Sequence, residues 1–481
     1  MPQKNVVSLL LVAVIAVFCW QAAQSAPRED QDAELYRLFV DAFEHVDRNY
    51  VKGVDRRKLM EAAINGMLGE LDPYSNFIDQ SHYRQFDRQT SGQFGGIGIQ
   101  ISEKDGILTV ISPLVGTPAY EAGVLAGDRI LEVNGESIRG MPLRDVVSRL
   151  TGPEGTDVTL SIQHRPYDKE PKEVTLKRAI INIESVLGDS HDKNDAWDFM
   201  LDDDNKIAYI RLNAFTKQTA EDLTEALKEL EAEGMKGLVL DLRYNPGGLL
   251  ESAIQISDLF VDEGKIVSTK GRNTIERKFF AKKDGTLDEF PMVVLVNSSS
   301  ASASEIVAAC LQDHQRAIVV GERTWGKGSV QNVIELEGGK SALKLTTASY
   351  RRPNGKNIHR FPDSDEEDEW GVSPNDGFLV EFSPEEHRSY FRDRQKRDRV
   401  LGKRSELIKA NGDDGNAKEE DNGDDEAKPF EDRQLKKALS YIREQLGEEK
   451  GKDGAPKEEA TDKADTEKKD AEATADAAET D

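Results

Sequence analysis

Between Ile207 and Val320, short apolar runs alternate with amphipathic helical stretches, and this alternation restricts the fold more than any other feature of the chain. Ile207 to Leu212, Gly237 to Leu242, Val293 to Val296 and Ile318 to Val320 read as strands. Ala220 to Glu233, with Leu223, Leu227 and Leu230 on one face, reads as a helix, as do Leu249 to Phe260 and Ala303 to Asp313. Strands that alternate with helices build βαβ units, so the expected class is α/β, a partly parallel sheet covered by helices. Ligands of such sheets bind beyond the carboxyl ends of the strands.

Three polar segments fall at those ends. Asn297-Ser298-Ser299-Ser300-Ala301-Ser302-Ala303-Ser304-Glu305 lies between an apolar strand and a helix. A serine there is exposed at the sheet edge, and the helix N-terminus directs unpaired amides to the same spot, where they can stabilise an oxyanion. Five serines crowd the segment, and from this stretch alone a helix cap is their ordinary meaning. Gly321 to Gln331 follows another strand and sets Lys327 between Gly326 and Gly328. A lysine acts as a general base only when neutral, and burial favours that form. Gln331, four residues on, is placed to orient the amine. A lone Gly-Lys-Gly ordinarily reads as a solvated loop or a phosphate cradle, and the full P-loop pattern is absent, because Gly328 stands where that motif needs Ser or Thr. Asp241-Leu242-Arg243-Tyr244-Asn245-Pro246-Gly247-Gly248 ends the second strand. Its glycines offer a second oxyanion donor, with a plain turn as the equal alternative.

Outside this region the chain changes character. Leu38, Phe39, Ala42, Phe43 and Val46, then Leu59, Ala62, Ala63, Met67 and Leu68, mark two amphipathic helices. From Gly92 a glycine-rich turn enters a compact module of short strands and two short helices that closes near Arg178. Asn411 to Asp481 holds 24 acidic and 12 basic residues, so it carries −12 of the net charge of −26. No basic stripe is present, which disfavours nucleic-acid binding. Lys4, the apolar stretch Val6 to Trp20 and the small residues of Ala23-Gln24-Ser25 read as an export signal rather than a retained anchor. A spanning helix needs about 20 apolar residues. Cys310 is alone once Cys19 leaves with the signal, and no Cys/His cluster has metal-ligand spacing, so neither a disulfide, a metal nor a cofactor is expected. Asp363 to Glu369 is an acidic insertion, by default a solvated loop, with a cation or basic-partner site as the minor reading.

VLVNSSSASASEIVAACLQD, GERTWGKGSVQ, DLRYNPGGLL, LDPYSNFI and SGQFGGIGIQI together resemble the carboxyl-terminal processing, or tail-specific, protease family, over about Leu38 to Asp376 plus the late helix. The resemblance implies a Ser-Lys serine endopeptidase without a catalytic histidine, cleaving near protein C-termini through an acyl-enzyme. By position, Ser302 is the nucleophile, Lys327 the base and Gln331 its orienting partner. The Ala303 amide with Gly247 or Gly248 forms the oxyanion hole. The middle module resembles a PDZ domain, with Gly96, Ile97, Gly98 and Ile99 as its carboxylate-binding loop for apolar protein tails. Thr151 stands where family members often carry a basic residue, which leaves a regulatory contact from that loop open.

The expected division is a signal peptide over 1–25, a helical region over 30–91, the PDZ-like domain over 92–178 and the peptidase core over 179–386. A charged segment over 387–410, an acidic linker over 411–428, a C-terminal helix over 429–447 and a disordered charged tail over 448–481 complete it. The expected location is the periplasm or cell envelope, membrane-anchored if the signal is retained. An adaptor protein and a homodimer stay open as partners. Two other functions also stay open: a binding adaptor with a degenerate core, and a small-molecule hydrolase, which the missing Gly-x-Ser-x-Gly disfavours.

Overall fold

The computed structural model describes residues 27–80, 82–83, 92–104, 106–164, 170–273, 275–287, 289–361, 363–365, 367–400 and 430–453. The expected signal (1–25), the linker (411–428) and the tail beyond 453 lie outside the described residues. Two compact units are formed, one from Met1–Phe86 and Val330–Ala348, the other from Asp87–Ser329 and Ser349–Asp481.

The first unit contains helices α1 (Pro27–Asn49) and α2 (Arg56–Gly69). Asp55 caps α2 by accepting the amides of Arg57 and Lys58. Asn76–Ile78 pairs antiparallel with 342–344. The Asp72 carboxylate accepts Tyr74 N, Ser75 N and Ser75 Oγ at 2.8–2.9 Å, which fixes the turn before that strand. Arg57 meets both oxygens of Glu337.

The second unit opens with a module whose strands run in the order Ile99–Lys104, Ile107–Pro113, Arg129–Val133, Asp157–Gln163, Lys172–Lys177. Alternating positions of Asp157–Gln163 (Val158, Leu160 and Ile162) are fully buried, as a one-faced strand requires. Helix α3 (Leu143–Leu150) sends Val146 and Leu150 into the same core. Ala179–Asn182, just after Arg178, pairs antiparallel with Gln93–Gly96 in a separate two-stranded sheet.

Four parallel strands form the body of the six-stranded main sheet: β1 (Ile207–Leu212), β2 (Gly237–Asp241), β3 (Met292–Val296) and β4 (Ile318–Gly321), with Val186–Leu187 and Met200–Asp202 antiparallel to β1. β2 and β3 are buried at every residue, because helices cover both faces. Helices α4 (Thr219–Ala232), α5 (Leu250–Asp258) and α6 (Ala303–Asp313) provide the crossovers. The sequence pattern placed each of these within one or two residues. It missed α7 (Pro384–Arg397), which falls in the stretch read as merely charged. Its start is written locally, however, since Ser383 and Glu386 form a capping box with Pro384 at the first turn. Helix α8 (Arg433–Asp453) lays Ala438 and Ile442 on β2 and β3, and its backbone continues into the first residues expected to be disordered.

Candidate active site

The three polar segments leave the carboxyl ends of β2, β3 and β4, which are neighbours in the sheet. The five serines after β3 separate by role. Ser300 Oγ donates to Leu242 O at 2.8 Å and Ser304 Oγ to Asn245 O at 2.9 Å, so both tie the turn to the β2 loop. Ser298 Oγ donates to Glu322. Ser302 stands at the N-cap of α6 with φ +57° and ψ −111°. A non-glycine residue seldom adopts that conformation, and it persists only where neighbours enforce it.

The enforcing group is Glu305, one turn into α6 and fully buried. Its Oε2 accepts Ser302 N at 2.8 Å and Lys327 N at 2.8 Å. Its Oε1 accepts Thr324 Oγ1 at 2.6 Å and Gly326 N at 2.7 Å. The backbones of Ser302 and Lys327 therefore lie within two hydrogen-bond lengths of each other. Burial raises the Glu305 carboxyl above the usual range, and the bonds from Thr324, Gly326, Ser302 and Lys327 offset this only in part.

Lys327 is half-buried, and its neighbouring glycines explain how it is enclosed. A Cβ at Gly326 would lie 2.7 Å from Arg360 Cβ and 2.9 Å from the Trp370 ring. One at Gly328 would lie 2.3 Å from His359 N. The walls around the lysine thus occupy space that any larger residue would fill. Tyr350, buried beside this loop, has its amide on Gly328 O at 2.7 Å. Burial pushes its phenol up to about 12, against a hydrogen bond with Ser302 that acts the other way. Gln331 lies on the strand Ser329–Leu336 and donates to Thr346 Oγ1 at 3.2 Å.

In the β2 loop, Gly247 has φ +98°, and a Cβ there would meet Ser302 Cβ and Ala303 N at 2.8 Å each. Its amide donates to Asn245 Oδ1 at 2.9 Å. The amides of Gly248 and Ala303 take no part in that bond, and Ala303 N is one of the first-turn amides a helix leaves open. Below the loop, Asp241 and Arg243 are buried as a pair at 2.6 Å. Burial would raise the Asp241 carboxyl, but the charge and hydrogen bonds of Arg243 hold it below the ordinary carboxylate range.

Glu305, Tyr350 and the Asp241–Arg243 pair were not singled out from sequence. Glu305 three residues after a serine before an apolar helix is a capping-box pattern, and that was the available signal. His314 is the C-cap of α6 by position and through its backbone amide, while its ring Nε2 lies 2.9 Å from Lys265 O on another strand. In the acidic insertion, Asp365 accepts the amides of Glu367 and Asp368, and Arg323 Nη2 donates to Asp368 O. Among the described residues, no cluster of His, Cys, Asp and Glu has the arrangement to hold a metal, and no helix is long and apolar enough to cross a membrane.

In the module, Gly98 has φ +77°, and its carbonyl accepts Leu114 N and Thr117 Oγ1. The following strand, Ile99–Lys104, is the edge of its sheet among the described residues, so one row of backbone groups is available to a peptide. Val147 of α3 is 40% exposed. Thr151 bonds Val147 O, and the neighbouring Gly152 amide bonds Gly95 O.

Residues 206–368 match peptidase family S41, 109–164 match the PDZ domain, and 19–82 match the activating protease CtpB N-terminal domain. A carboxy-terminal-processing protease of Bartonella bacilliformis is 42% identical over 357 residues, 73% of this chain and 76% of the relative. Carboxy-terminal processing protease CtpA of Bacillus subtilis is 39% identical over 321 residues, 66% of each chain. Among solved structures, the photosystem II D1 C-terminal processing protease shares 30% identity over 76% of this chain and 96% of its own, with a TM-score of 0.40. The chain belongs to the carboxy-terminal processing proteases, serine-type peptidases of family S41, and carries a PDZ domain.

Proposed function

We propose that the protein is an exported endopeptidase that binds protein C-termini through its PDZ domain and cleaves near them with a Ser302–Lys327 dyad. The observation that carries this reading is the Glu305 carboxylate, whose one oxygen accepts the amides of both Ser302 and Lys327. The strained Ser302 backbone and the glycine-enclosed lysine support it. In the first step the Lys327 amine removes the Ser302 proton as Oγ attacks the peptide carbonyl. The amides of Ala303 and Gly248 receive the oxyanion. Gly247, whose amide is committed to Asn245, lets the loop approach Ser302 closely, and a shift of that bond would add its amide to the hole. The ammonium returns the proton to the leaving amine, and the neutral lysine then activates water against the acyl-enzyme. Gln331 is the residue proposed to orient the lysine amine.

The PDZ role rests on the Gly96–Ile99 loop and the open edge of Ile99–Lys104, which suit a terminal carboxylate and an added strand. Apolar tails fit the exposed Val147. The domain division given by the sequence is retained as a proposal, as are export through residues 1–25 and an adaptor partner. A homodimer through α1 is favoured by Leu35, Tyr36 and Leu38, all more than 60% exposed. The test is cleavage of an unfolded protein with an apolar C-terminus. S302A and K327A should each be inactive, and full activity in either purified variant would falsify the dyad. A binding adaptor would show no cleavage and no phosphonate labelling with or without a tail peptide.

A further inference from the structure

The Arg243 guanidinium lies directly before the loop that carries the proposed oxyanion donors, and its side chain is 1% exposed. Asp241, its neighbour on the same strand end, reaches only Nε and Nη2. The acceptors for Nη1 come from elsewhere in the chain: Asp432 Oδ1 at 3.0 Å and Gln434 Oε1 at 2.9 Å. Asp432 Oδ2 also takes Nη2 at 2.9 Å. Both residues belong to the start of α8. Asp432 is in addition its N-cap, because Oδ1 accepts Leu435 N at 2.9 Å. Gln434 is fully buried, and its Nε2 donates to Val380 O at 2.7 Å.

Arginine has five N–H donors in a rigid fork, and a buried donor without an acceptor is strongly unfavourable. Without Asp432 and Gln434 the two Nη1 donors have no partner, and the fork must turn or admit water. The backbone at Arg243 would move with it. That backbone continues into Tyr244, whose amide sits on Asn297 Oδ1 at 2.9 Å, and into Asn245, whose carbonyl accepts Ala301 N and Ser304 Oγ. Asn245 Oδ1 in turn holds Gly247 N. A displacement at Arg243 therefore reaches the nucleophile turn within two residues.

We propose that Asp432 and Gln434, at the start of α8, are positioning residues for the oxyanion loop and act through the Arg243 guanidinium. The proposal rests on the reading of Ser302 as nucleophile and of the 244–248 loop as oxyanion support. It makes catalytic competence depend on a helix about 190 residues away in sequence, so cleavage requires α8 to be seated.

The test uses full-length D432S and Q434L, with R443A as control. Serine retains the N-cap but is too short to reach Arg243. Arg443 holds Asp202 from the middle of the same helix, about three turns further on. D432S should lower kcat about 10- to 100-fold with KM within twofold, and lower the rate of Ser302 phosphonate labelling by a similar factor. Q434L should do the same to a smaller extent, and R443A should stay within twofold of the parent. If D432S does not fold cooperatively, Q434L carries the test alone. Equal labelling and kcat in the folded variants and the parent would overturn the proposal. Absence of labelling in the parent itself would instead overturn the Ser302 reading.

Discussion

Two fully buried carboxylates stand at the ends of neighbouring strands, and their surroundings give them opposite behaviour. Glu305, after β3, accepts four neutral donors and faces no ion-pair partner among the described residues, and burial leaves its carboxyl raised. Asp241, at the end of β2, faces Arg243 and Tyr209, and its carboxyl is lowered in spite of equal burial. A full charge opposite the carboxylate decides the sign, and hydrogen bonds from neutral groups do not fully replace it. The difference separates two tasks. The Asp241–Arg243 pair anchors the floor of the site. Glu305 gathers loops that must be brought together at one point.

D241N breaks the anchored side of this comparison and should have the largest effect on stability. It removes one carboxylate from a buried guanidinium, which costs about 3–5 kcal/mol when a buried pair is broken. Urea unfolding measures it; a loss under 1 kcal/mol would mean that Asp432 alone satisfies the cation. E305Q breaks the gathering side. Its amide NH2 must face at least one pair of donors, and each buried donor left unpaired costs about 1–3 kcal/mol. The expected result is a kcat reduced by about 100-fold with a smaller change in stability than D241N, read from peptide cleavage and melting together.

The smallest effect is the pH dependence of stability, where the two residues should differ in sign. The folded Glu305 carboxyl is raised above its unfolded value of 4.5, so its contribution is present below that pH and is lost as pH rises through the folded value. The folded Asp241 carboxyl is lowered below 3.8, so its contribution is present above that pH and is lost as pH falls through the folded value. Unfolding free energies of E305Q relative to the parent should therefore improve with rising pH above 4.5. Those of a folded D241N should converge on the parent as pH falls below 3.8. A common sign would show that burial alone governs both.

The sheet and its three loops were legible because strand and helix periodicities differ and because glycines and serines mark the strand ends. Ser302, Lys327 and Gly247 stand in such local patterns. Glu305 was harder to assign, since its partners Thr324, Gly326 and Lys327 come from another loop and no spacing records that meeting. Tyr350 and Asp432 reach the site from still more distant segments. Helix α7 was overlooked because its charges, including Arg394 and Arg397, read as solvated. In the structure both bind Asp189, and Tyr390 of the same helix packs under Arg243. A charged helix can dock one face, here Tyr390 and Arg394, when the ions on that face are paired, and composition does not distinguish that case from a fully solvated one.

The central claim, that Ser302 and Lys327 form one reactive pair, is tested most directly by the rate of phosphonate labelling as a function of pH. The account predicts labelling at Ser302 in the parent, slowing on acidification as the lysine takes up a proton, and none in S302A or K327A. Labelling that persists in K327A with the pH profile of an imidazole would contradict it.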